Sequence, residues 1–138
     1  MSNNQSANAG NPSAPPLYWI QAVLTLWGKH RPGKKIPMNL VYETFSVLRQ
    51  AYPEELGELS FEKWEGKYLS KDLETILFYL GSGGVLSVAN PRWKYYSVEV
   101  GPESSLTRLQ QAGGDTAVGK AQEMATRFEQ YVEGKLPN

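Results

Sequence analysis

The chain has no cysteine and a single histidine, His30. The first absence excludes disulfides and zinc–thiolate centres, so a small fold must be held by packing alone. The second leaves a histidine-based triad or metal centre without partner ligands. His30 sits in Lys29-His30-Arg31, which reads as a polar connection, and it is expected as an exposed loop side chain. No run of roughly 18 apolar residues occurs, so no membrane-spanning helix is expected. An excess of either charge is missing too, with fourteen Lys and Arg against fourteen Asp and Glu. Proteins that wrap nucleic acid ordinarily carry a positive field, so such binding would have to depend on a local patch. Residues Met1 to Pro16 hold no charged side chain and lack the basic start and apolar run of a secretory signal. They are expected to form a flexible tail, and the cytoplasm is the expected location.

What is present can build a core. Hydrophobic residues make up 41% of the 138 positions and aromatics 12%, which suits one folded domain. Leu17, Ile20, Leu24 and Trp27, with Val23, recur at helical spacing, and Gly28 and Pro32-Gly33 end that helix. Pro37 suits the first turn of a second helix, with the stripe Val41, Phe45, Leu48 and Tyr52 and a stop at Pro53. Glu54 to Glu65 reads as an acidic connection pinned to the core by Phe61 and Trp64. A third helix is expected from Ser70, an N-cap, with Asp72 and Glu74 in the first turn and Leu69, Leu73, Ile76, Leu77 and Leu80 buried. Gly81-Ser82-Gly83-Gly84 ends it.

The period then changes to two. Val85, Leu86 and Val88 read as a strand, Ala89-Asn90-Pro91-Arg92 as a turn, and Trp93 to Val100 as a second strand. Leu106 and Leu109 suggest a short helix, Gly113-Gly114 a break, and Val118, Ala121, Met124, Phe128 and Val132 a longer amphipathic helix. That last stripe either folds back on the core, the default, or pairs with its twin in a homodimer.

The segment Phe61-Glu62-Lys63-Trp64-Glu65-Gly66-Lys67-Tyr68-Leu69-Ser70, followed by Leu73, Leu77, Leu80 and Gly84-Val85-Leu86, resembles small prokaryotic winged helix-turn-helix proteins. In them an aromatic residue and a Gly-Pro-aromatic-Ser run lead into the third helix, and a related pattern occurs in Panacea-type antitoxins. Lys67 stands here where that pattern has proline, and Leu69 is inserted before Ser70. The resemblance implies an α+β, mainly helical fold: a winged helix-like three-helix core with a β-hairpin wing and a C-terminal helix. Residues 1–16 would then be a tail, 17–100 the winged helix-like domain and 101–138 a C-terminal helical extension.

Little here points to catalysis, a cofactor or a metal. The carboxylates between Glu54 and Glu65 could pair for acid–base work or hold a divalent ion, but a solvated acidic loop facing a basic partner is the stronger reading. Gly81-Ser82-Gly83-Gly84 runs from helix to strand, whereas a phosphate loop runs from strand to helix. Two features favour nucleic acid: the basic run Lys29, His30, Arg31, Lys34 and Lys35, and the wing in which Arg92, Trp93, Lys94 and Tyr95 mix charge with aromatic surface. Asp72 and Glu74 oppose it, since they place negative charge where a recognition helix meets DNA, with Lys67 and Lys71 only compensating. The expected DNA-contacting set is therefore Lys34, Lys35, Lys67, Lys71, Arg92, Trp93, Lys94 and Tyr95. The expected function is a non-catalytic regulator or antitoxin-like factor contacting DNA through that patch. The alternative is a protein–protein interaction module in a larger assembly, met through the acidic connection or the C-terminal helix.

Overall fold

The computed structural model describes residues 14–31, 34–82, 86–89, 95–98 and 104–135. In order, the elements are α1 (Pro16–His30), β1 (Lys35–Pro37), α2 (Met38–Ala51), α3 (Pro53–Leu56), β2 (Glu62–Trp64), β3 (Lys67–Leu69), α4 (Lys71–Ser82), β4 (Leu86–Ala89), β5 (Tyr95–Val98) and α5 (Ser104–Lys135). The fold is α+β and mainly helical, as the hydrophobic periods imply. None of its described helices is long and apolar enough to cross a membrane.

α1 opens on Pro16, where a missing N–H costs nothing because the first helical amides have no partner anyway. The expectation of a tail running to Pro16 is corrected at its end. Ala14 is buried, and its carbonyl accepts a hydrogen bond from Trp19 Nε1 at 3.2 Å, so the packed chain begins there. The rest of that segment, residues 1–13, lies outside the described residues. Ile20, Val23, Leu24 and Trp27 are buried and Leu17 half-buried, as the helical stripe requires.

α1 packs chiefly along α5, which also contacts α2. α5 breaks at Gly114, whose φ of 73° and ψ of −165° interrupt the helix in a region that a side chain would strain. Beyond the break, Ala121, Met124, Phe128 and Val132 are buried in one cluster with α1 and α2. The Phe128 ring meets Trp27 edge-on at 5.6 Å and Phe45 at 5.3 Å. α5 therefore completes the core, and the stripe that a homodimer could have used is spent inside the chain.

The hairpin of β4 and β5 is joined by a strand that the sequence pattern did not reveal. β1 pairs antiparallel with β5, so the sheet order is β1-β5-β4, with Ile36 opposite Tyr96 and Val88 opposite Tyr96 on the other side. β1 has three residues and ends in Pro37, too short for a period of two to register, and a proline is tolerated on an edge strand. Ile36 is wholly buried, which anchors β1 to the core.

A second correction concerns the acidic connection. It is ordered by Leu56 and Leu59, both buried, and then forms a two-stranded hairpin, β2–β3. Glu65 and Gly66 both have positive φ, 51° and 79°, the geometry of a type I′ turn matched to the twist of a tight hairpin. Phe61 is half-buried against the core, whereas Trp64 is 65% exposed and pins nothing. Leu69 likewise belongs to β3, not to the buried face of the third helix, and is 46% exposed. α4 itself starts where expected: the Ser70 hydroxyl accepts from the Leu73 amide at 3.1 Å, and Leu73, Leu77 and Leu80 are buried.

Candidate interaction surface

α4 turns Leu73, Leu77 and Leu80 inward, so the 3.6-residue period forces Lys71, Glu74, Thr75, Phe78 and Tyr79 outward, and all five are exposed. Phe78 is 77% exposed and Tyr79 54%. Burying either ring against the core would require rotating the helix and exposing the leucines. The outward face is thus a consequence of the inward one. Asp72 contributes differently, because its carboxylate accepts a hydrogen bond from the Ser60 amide at 2.8 Å and ties the start of α4 to the preceding loop.

The β2–β3 hairpin adds a second apolar surface. Residues directly opposite across an antiparallel pair share a face, so Glu62 with Leu69 and Trp64 with Lys67 lie on one side, and Lys63 with Tyr68 on the other. The Lys63 ammonium stands 5.2 Å from the Tyr68 ring centre, and Tyr68 is half-buried. The other side carries Trp64 and Leu69 as diagonal neighbours, within reach of each other across the strands, and both are exposed.

The basic run has another destination. His30 Nδ1 lies 2.7 Å from Glu129 Oε1, and Arg31 reaches the other oxygen of Glu129 at 2.8 Å through one guanidinium nitrogen and 2.9 Å through Nε. Lys34 Nζ donates to Glu133 at 3.1 Å. Burial works against ionising Glu129, yet the hydrogen bonds from His30 and Arg31 outweigh it and hold the carboxyl below its ordinary value. α5 thereby neutralises much of the charge that the run seemed to offer to phosphate.

Other polar contacts fasten α5 to the rest. Glu55, the one carboxylate of the acidic connection that is buried, accepts from Lys120 Nζ at 2.9 Å, and that bond raises the lysine pKa. Tyr52 donates to Glu123 with Arg127 over its ring, and Tyr131 donates to Glu43. Burial first, and these hydrogen bonds second, push both phenols up to about 12. An open groove of about 460 Å³ between α1 and α5 is lined by Trp27, Gln122, Thr126 and the His30–Glu129 pair. Among the described residues no three His, Asp or Glu side chains converge as a metal site would need.

The described members of the expected DNA-contacting set are carried by separate elements. Lys34 faces α5, while Lys35 is exposed on β1 opposite Ser97. Lys67 is exposed on the hairpin opposite Trp64, and Lys71 is exposed at the start of α4. Tyr95 begins β5, with its backbone between Pro37 and Ala89. Arg92, Trp93 and Lys94 lie outside the described residues. Phe78, Tyr79, Trp64 and Leu69 were not singled out from sequence as surface. The signal for the first two was present, since the two positions between Leu77 and Leu80 fall off the stripe of Leu73, Leu77 and Leu80; Leu69 and Trp64 needed the hairpin register.

No protein-family model matches the chain, and neither a curated protein nor a solved structure shows significant similarity to it.

Proposed function

We propose that the chain is a non-catalytic, winged helix-like protein-docking module that offers the outer face of α4 and the β2–β3 hairpin to a protein partner. The order α1–β1–α2–α4–β4–β5, with β1 added to the terminal hairpin, supports the winged helix-like description. The observation that carries the docking reading is Phe78, 77% exposed beside Tyr79 on the helix that a DNA-reading member of that class lays in the groove. Base edges are read by hydrogen-bonding side chains, with apolar contact confined to thymine methyls, so a Phe-Tyr pair is poor equipment for it. Glu74 on the same face would also repel phosphate, and Arg31 and Lys34 are engaged by Glu129 and Glu133. Clustered exposed aromatics are uncommon on a surface that meets only water, and they are favoured at protein interfaces.

Lys35, Lys67 and Lys71 are exposed and keep a DNA contact as the second reading. One experiment separates the two. A photocrosslinking amino acid is placed at position 78, or at position 130 on the exposed side of α5, and the full chain is irradiated in its native host. The docking reading expects a protein adduct at 78 and none at 130. A nucleic-acid adduct at 78 would overturn it, as would saturable binding of duplex DNA with a log–log salt slope near −4, the value for about four phosphate contacts.

A further inference from the structure

We draw no further inference here: the strongest candidate, the open groove between α1 and α5 walled by Trp27, His30 and Glu129, has the last two paired with each other, and nothing in the structure shows what covers it.

Discussion

Phe128→Ala removes the ring on which α1, α2 and α5 converge. The side chain is wholly buried, edge-on to Trp27 at 5.6 Å and tilted against Phe45 at 5.3 Å. A Phe-to-Ala change in a packed core costs about 3–5 kcal/mol, through lost transfer energy and the cavity left behind. The two aromatic contacts, each worth roughly 0.5–1.5 kcal/mol, place this site towards the upper end. Against a total stability of about 5–15 kcal/mol that is a large fraction. At this chain length each kcal/mol moves the midpoint by roughly 3–4 °C, so the thermal midpoint should fall by about 9–20 °C. Urea denaturation followed by far-ultraviolet circular dichroism gives the free energy directly. Phe128→Leu, which keeps most of the volume, should lose no more than about 1.5 kcal/mol. In a double-mutant cycle, Phe128→Leu and Phe45→Leu should couple by about 0.5–1.5 kcal/mol. If Phe128→Ala cost less than about 1 kcal/mol, or split the transition so that the rest of the chain melted unchanged, α5 would be an appendage and not a wall of the core.

Leu77→Ala should cost about 2–5 kcal/mol in the same assay, and a loss below roughly 0.5 would mean that α4 does not present Leu73, Leu77 and Leu80 inward. Phe78→Ala, one residue on, should stay within about 0.5 kcal/mol of the wild type, because its ring is in water. Tyr52 and Tyr131 titrate near 12, above the ordinary phenol, so stability should hold below pH 10 and fall as pH rises from there towards 12. At about 1.4 kcal/mol per unit, each phenol accounts for up to roughly 2.7 kcal/mol. Tyr52→Phe with Tyr131→Phe should flatten that limb in urea melts at stepped pH, and an equally steep limb would refute the assignment. Glu129 lies below its ordinary value, so its contribution is present at neutral pH and lost as pH falls through the folded-state value. Glu129→Gln should therefore lower stability at pH 7 and leave the acid limb shallower.

Periodicity in the sequence determined the helices whose buried stripes are long. The stripes of α1 and α2, the Ser70 cap and the break at Gly114 all follow from local rules: a 3.6-residue repeat, a hydroxyl for orphan amides, a glycine where φ turns positive. Charge balance likewise means that any nucleic-acid contact would have to be local. Short elements were out of reach for the same reason that long ones were legible. β1, β2 and β3 have three residues each, less than two full periods of alternation, so nothing in their spacing separates strand from loop. Register then decides which side chain is core and which is surface, and a shift of one residue exchanges them; that is how Trp64 and Leu69, apolar by type, came to face outward. The fate of the basic run was decided by contacts nearly a hundred residues apart, His30 and Arg31 with Glu129 and Lys34 with Glu133. A charge's partner is a matter of distance in space, and only the packing of α5 along α1 supplies it.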